Sequence, residues 1–182
     1  MMNNKERELK LLISKKKFNE ILKSYEFPYC RQQTNIYFDT SNEKVKSQGC
    51  AVRIRTYDNH CIFTLKKRVD PITLIELEKD IDTTDIHKIT DCEVLGWLQQ
   101  YHIPIHDLHP TTKIITTRYI LKTQQAEICL DHTIFSNTED YEIEYEYFED
   151  HDGIKKFNEF LKRFGLHYIK NCPSKIARAM NS

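Results

Sequence analysis

The spacing of apolar and polar side chains along the chain is mostly that of β-strands. Where apolar and polar residues alternate one by one, their side chains point to opposite faces of a half-buried strand. This alternation predicts eight strands, over residues 6–12, 33–38, 50–57, 61–67, 73–81, 112–122, 126–133 and 141–148. Short connections between successive strands favour antiparallel pairing, and eight such strands can close into a barrel. An open sandwich, or a sheet with helices on one face, is the alternative architecture.

Three longer segments repeat their apolar residues at helical spacing instead. Helices are predicted over residues 15–25, with Ser14 as the N-cap, and over residues 84–101. A third helix is predicted to follow Asp152 and to end at Gly165. The predicted fold is therefore α+β: a closed, eight-stranded antiparallel β-barrel with flanking helices.

Composition excludes several classes of protein. The length of 182 residues fits one domain, so residues 1–182 are predicted to form a single unit. Lys plus Arg and Asp plus Glu both number 27, and this zero net charge argues against a dedicated nucleic-acid binder. The six scattered cysteines form no metal or redox motif, and no apolar run is long enough to cross a bilayer. These features predict a cytoplasmic protein with reduced thiols that binds neither nucleic acid nor membrane.

Charges of one sign are grouped on the polar faces of the predicted strands. Arg53 and Arg55 share one face of a strand, and three glutamates from residue 142 to residue 146 share one face of another. Like charges two residues apart lie about 6.6 Å from each other and repel by roughly 2.5 kcal/mol before screening. A solvated face would relieve this repulsion. If helices cover the apolar faces instead, the charged faces point inward and favour a polyanionic ligand together with a metal ion.

The order of these charges is similar to that of a known family. Glu6-x-Glu8-x-Lys10 resembles the ExExK signature of the CYTH superfamily, the triphosphate tunnel metalloenzymes. That superfamily includes class IV adenylate cyclases, thiamine triphosphatases and inorganic tripolyphosphatases. The family pattern of basic and acidic strands is matched further along the chain by Arg53, Arg55, Lys66, Glu76, Glu78, Arg118, Asp131, Glu142, Glu144, Glu146 and Lys175. Length and low glycine content resemble the stand-alone bacterial members. The resemblance implies a barrel open at both ends, with phosphates threaded through it.

The resemblance and the side-chain chemistry together imply a role for each of these residues. Triphosphate is expected to be bound by Lys10, Arg53, Arg55, Lys66, Arg118 and Lys175. Mg²⁺ or Mn²⁺ is expected to be held by Glu6, Glu8, Glu142, Glu144 and Glu146. The residues expected to be catalytic are Glu6, Glu8, Glu142, Glu144 and Lys66. Supporting roles are expected for Glu76, Glu78, Asp131 and Arg178.

The expected activity is metal-dependent hydrolysis of a triphosphate, without a protein nucleophile. The substrate could be inorganic tripolyphosphate, thiamine triphosphate or a nucleoside triphosphate. Two alternatives stay open: an adenylate cyclase that converts ATP to cyclic AMP, and a non-catalytic module that binds triphosphate or polyphosphate. The expected partner is a small-molecule triphosphate or polyphosphate, and a homodimer stays an option.

Overall fold

The computed structural model describes residues 5–180, which form a closed β-barrel with five α-helices around it. The strands are β1 (Lys5–Ile13), β2 (Tyr29–Asp39), β3 (Cys50–Tyr57), β4 (His60–Arg68), β5 (Thr73–Asp80), β6 (His109–Lys122), β7 (Ala126–Ile134) and β8 (Glu139–Tyr147). Their order around the barrel is β1-β5-β4-β3-β2-β6-β7-β8. The closed antiparallel barrel predicted from the alternation is confirmed, and the open sandwich is excluded.

The helices are α1 (Lys15–Ser24), α2 (Lys44–Ser47), α3 (Cys92–Gln100), α4 (Gly153–Lys162) and α5 (Lys175–Ala179). The prediction of one helix over residues 84–101 is wrong in its first half, where Ile86–Lys88 forms only a 3₁₀ turn. The Asp91 side chain accepts hydrogen bonds from the backbone N–H groups of Glu93 and Val94, and this N-cap starts α3 at Cys92. Among residues 5–180, no helix is both long and apolar enough to span a membrane.

The chain divides into two compact units, and the first consists mainly of Gln33–Ile114. Its core packs alternate residues of β3, β4 and β5, such as Val52, Phe63 and Leu77, with Val94 and Leu98 of α3. Since strand side chains alternate between faces, the intervening residues form a separate polar face that the helix does not cover. In a closed barrel with its helices outside, that polar face is the inner one.

The second unit contains residues 6–32 and 115–180 and is built in the same way. The Phe18 ring of α1 lies 4.9 Å from the ring of Tyr141, and the Phe157 ring of α4 lies 5.5 Å from the ring of Tyr145. Both tyrosines belong to the apolar face of β8, so the glutamates between them point to the opposite face. Each unit therefore has one face covered by helices and one face that carries charges.

Candidate active site

Three buried carboxylates meet on the polar face of the second unit. Asp131 of β7 and Glu142 of β8 are direct partners in the strand register, and Glu144 is two residues further along β8. One oxygen from each of the three lies within 4.8 Å of the others, and no side chain of the three is more than 6% exposed. Asp131, which the sequence assigned a supporting role, is thus a full member of this carboxylate cluster.

Two basic side chains contact the carboxylate cluster and offset part of its negative charge. Lys175 Nζ of α5 lies 2.8 Å from Asp131, 2.5 Å from Glu142 and 2.7 Å from Glu144. Arg118 of β6 binds both oxygens of Asp131, through Nε at 2.8 Å and Nη2 at 2.7 Å, and donates to Glu144 at 2.5 Å. The sequence predicted both as triphosphate-binding residues, and the structure places both against the predicted metal site.

The electrostatics of the cluster differ from one carboxyl to the next. Burial raises the pKa of all three, but the charges of Arg118 and Lys175 outweigh burial at Asp131 and Glu144 and lower the pKa there. At Glu142 burial, together with the negative charge of Glu144, outweighs the attraction of Lys175 and raises the pKa above its ordinary value. The positive charges thus favour the ionised forms of Asp131 and Glu144, whereas burial disfavours the ionised form of Glu142.

Further charged groups surround the cluster within the second unit. Lys10 Nζ of β1 lies 2.7 Å from Glu8 and 3.9 Å from Glu144. Arg178 Nη1 lies 2.7 Å from Glu142, and Arg178 Nε lies 2.7 Å from Asp140. These contacts anchor α5 in addition to those of Lys175. Glu6 and Glu146 are half-buried on their strands and lie outside the carboxylate cluster, as does the buried Glu8. The metal-ligand set predicted from the sequence is therefore only partly brought together.

Sequence reasoning missed Cys172, which precedes α5. Its thiol donates to Glu142 Oε2 across 3.2 Å. Burial, followed by the negative charge of Glu142, raises the pKa of this thiol to about 12. Cys172 is thus a neutral hydrogen-bond donor to the cluster, and its position three residues before Lys175 was the only signal in the sequence.

The first unit carries the second set of predicted site residues, on the polar face of β2 to β5. Arg53 Nη2 lies 3.2 Å from both Glu76 and Glu78, and Lys66 Nζ lies 3.0 Å from Glu76. The two glutamates predicted to support the site thus pair with the cations predicted to bind phosphate. Burial opposes the charge on Glu78, but Arg53 and Arg55 outweigh it and lower the pKa of Glu78 to about 2.

Two buried amides, to which the sequence analysis assigned no role, also lie on this face. Asn35 Oδ1 accepts a hydrogen bond from Arg55 Nε at 3.0 Å, and Gln33 lies on the same side of β2. They are only 3% and 2% exposed. The alternation of residues 33–38 carried the signal, because it places Gln33 and Asn35 on one face of β2, and Asn35 is the register partner of Arg55.

Comparisons with known proteins agree with this geometry. The CYTH domain family matches residues 4–179. Among curated proteins, "Putative triphosphatase YjbK" of Bacillus subtilis is 28% identical over 164 residues, which cover 87% of this chain and 86% of that protein. The crystal structure of a "putative adenylate cyclase" from Bacillus halodurans is 29% identical with a TM-score of 0.85, covering 96% of this chain and 98% of the other.

A more distant structure shares the fold. A "putative adenylyl cyclase" from Hippeastrum, described as having a dominant triphosphatase activity, is 22% identical with a TM-score of 0.76 and covers 97% of this chain and 95% of that one. The domain match spans both charged faces and the α5 lysine, which are the features that the sequence order singled out. The chain belongs to the CYTH domain family.

Proposed function

We propose that this protein hydrolyses the terminal phosphoanhydride of a triphosphate with the help of a divalent cation. The observation that carries the proposal is the carboxylate cluster, in which Asp131, Glu142 and Glu144 are buried with their oxygens within 4.8 Å. Buried carboxylates repel one another unless cations compensate them, so such a group is typical of a site that binds cations. The names of its relatives, a triphosphatase and adenylate cyclases, support a triphosphate substrate.

The donor set of the cluster fits Mg²⁺ or Mn²⁺. Asp131, Glu142 and Glu144 offer only hard oxygen ligands, and these are the ligands that both ions prefer. When bound there, such an ion would neutralise the charge that develops on phosphate oxygens during phosphoryl transfer. Lys175 already bonds to all three carboxylates, so its ammonium group competes for the same oxygens. Once displaced from them, Lys175 is available to donate to a phosphate oxygen.

Phosphate binding is assigned to the basic residues of the two charged faces. Arg53 and Arg55 are each 8% exposed, and Arg53 Nε is buried without a hydrogen-bond partner among the described residues. A buried donor of this kind is costly unless a ligand satisfies it, and a phosphate oxygen fits. Lys10, Lys66 and Arg118 add charge that is fixed before the substrate arrives. Preorganised charge of this kind provides most of the rate in phosphoryl transfer.

The first test is phosphate release from tripolyphosphate, thiamine triphosphate and ATP with Mg²⁺ or Mn²⁺. We expect Glu142→Gln, which keeps the shape and removes the charge, to lower kcat/KM by at least about 10-fold. Glu139→Gln on the same strand is the matched control, since its side chain is 45% exposed and lies outside the cluster. Release from none of the substrates, or equal activity of the two variants, would contradict the proposal.

Adenylate cyclase activity is the second candidate, because a structure of that name is 29% identical over nearly the whole chain. Chromatography of the ATP reaction separates the two activities, since hydrolysis gives ADP and phosphate whereas cyclisation gives cyclic AMP and pyrophosphate. Tight binding of triphosphate without turnover would favour a binding module instead.

We further propose that the protein acts as a single domain in the cytoplasm, on a small-molecule triphosphate and without nucleic acid or membrane. Its zero net charge and its six free cysteines support this assignment. Size-exclusion chromatography with light scattering would test whether it forms a homodimer.

A further inference from the structure

The segment between α4 and α5, residues 163–174, is held in place by two asparagine side chains. Asn158 of α4 accepts from the Tyr168 N–H at 2.7 Å and donates to the Tyr168 carbonyl at 3.2 Å. Asn171 accepts from the Lys10 N–H at 2.7 Å and donates to the Glu8 carbonyl at 3.0 Å. Each amide thus provides one acceptor and one donor to a backbone, as a neighbouring β-strand would.

The geometry around Asn171 fixes the orientation of its amide. The Tyr168 hydroxyl also donates to Asn171 Oδ1, at 3.0 Å, so the oxygen receives two donors while the nitrogen meets a carbonyl. Rotating the amide by 180° would place its NH₂ group against the Lys10 N–H and the Tyr168 hydroxyl, which are both donors. Only one orientation therefore satisfies these three bonds. The Cys172 N–H reaches the Lys10 carbonyl at 3.3 Å and adds a further tie to β1.

These bonds connect two parts of the proposed site. Glu8 and Lys10 are the β1 residues whose backbone groups Asn171 holds, and their side chains pair with each other beside Glu144. Four residues after Asn171, Lys175 bonds to all three carboxylates of the cluster. A shift of the segment would therefore move Lys175 and the Glu8–Lys10 pair relative to each other.

We propose that Asn171 is a positioning residue, which fixes β1 to the segment carrying Lys175 and so sets the geometry of the cation and phosphate groups. The proposal rests on the proposed function, because it concerns the same site. Asn158 makes an equivalent pair of bonds to the same segment, and within residues 5–180 it bonds to no charged group of the site. The two asparagines therefore form a matched pair, in which Asn171 should affect the chemistry much more, since Asn158 reaches Asn171 only through Tyr168.

The test compares Asn171→Ala with Asn158→Ala in tripolyphosphate hydrolysis, at a temperature where both variants are folded. We expect Asn171→Ala to raise the half-activating Mg²⁺ concentration by about 10-fold, as loss of a group that orients metal ligands commonly does. Asn158→Ala should lower Tm but raise the half-activating concentration much less than Asn171→Ala does, because it acts on Asn171 only through Tyr168. Hydrogen exchange of the Lys10 amide should accelerate in Asn171→Ala alone, since that amide would lose its acceptor.

Tyr168→Phe provides a milder second variant that keeps the Asn171 amide and removes only the hydrogen bond from the Tyr168 hydroxyl. We expect the half-activating Mg²⁺ concentration to rise less than in Asn171→Ala but in the same direction. Equal shifts in Asn171→Ala and Asn158→Ala, or an unchanged exchange rate at Lys10, would overturn the positioning role and leave the proposed function intact. A wild-type protein that neither releases phosphate nor binds Mn²⁺ in calorimetry would overturn both proposals.

Discussion

Among the basic residues of the first unit, Arg55 differs from Lys66 in the geometry of its charged group. A guanidinium can donate two parallel hydrogen bonds to one phosphate, whereas an ammonium group acts as a point charge. Arg55 Nε already donates to Asn35 at 3.0 Å, which orients the rest of the planar group. We expect Arg55→Lys to raise KM for tripolyphosphate by about tenfold, because a hydrogen bond to a charged group contributes about 1.5–3 kcal/mol. Steady-state kinetics would measure KM, with Arg68→Lys, a change at an exposed position of β4, as the control. Equal KM values in the two variants would contradict a phosphate contact by Arg55.

Single residues also show what the sequence could and could not predict. Alternation predicts that Arg53 and Arg55, and likewise Glu142 and Glu144, share the face opposite their apolar neighbours. Their burial follows only from the closure of the strands into a barrel. The partners of Lys175 do not follow from any local pattern. Lys175 is 44 residues from Asp131, and its contact with that carboxylate depends on how the segment before α5 runs. Side chains that approach from a different element are outside what periodicity can predict.

At the scale of elements, the start of α4 depends on close packing against β8. A Cβ added to Gly153 would collide with the ring of Tyr147. The ring has little freedom to move, because the Arg7 guanidinium lies 4.4 Å above it and the His151 ring is 4.8 Å away. We expect Gly153→Ala to lower the free energy of unfolding by about 1–3 kcal/mol, as overpacking commonly does. Gly96→Ala in α3 is the control: its Cβ would meet no atom within 4 Å, so this change should stabilise the protein by up to about 1 kcal/mol. Denaturant unfolding of both variants would measure the two changes in free energy of unfolding. A Gly153→Ala protein as stable as the wild type would contradict the prediction.

Elements were predictable where one periodicity ran without interruption. The strand predicted over residues 50–57 coincides with β3, and its partner begins at His60, after the turn at Asp58 with its positive φ of 48°. The helix predicted over residues 84–101 is too long because the helical spacing of apolar residues continues across Asp91. The Asp91 carboxylate caps the helix, and a capped helix starts after its cap residue, here at Cys92. The four-residue helix α2 is too short for a periodicity of 3.6 to become visible.

At the scale of the whole molecule, the zero net charge is a sum over separate groups of charges. The second unit sets Asp131, Glu142 and Glu144 against Arg118 and Lys175, and the first unit sets Glu76 and Glu78 against Arg53 and Lys66. Within each group, the acids and bases offset most of one another's charge in the folded protein. Neutrality therefore argues against a surface suited to nucleic acid but is compatible with a strongly anionic small ligand.

The domain organisation predicted from length gives a test that involves the whole molecule. Strands β2 and β6 each begin in one compact unit and end in the other. Unfolding of either unit would therefore disrupt these two strands, which both units share. We therefore expect the two units to unfold in one cooperative transition. Trp97, the single tryptophan, lies in the first unit with its ring 6.4 Å from that of Phe63, and its fluorescence reports that core.

Two matched core variants decide the question. Ile54→Val removes one methylene from the core of the first unit, and Ile143→Val removes one from that of the second; both side chains are at most 1% exposed. Each change should cost about 0.5–1.5 kcal/mol. If the molecule is one cooperative domain, both variants shift the Trp97 fluorescence midpoint in denaturant, and the far-UV circular dichroism midpoint moves with it. If only Ile54→Val moves the Trp97 midpoint, the units unfold separately and the single-domain prediction is wrong.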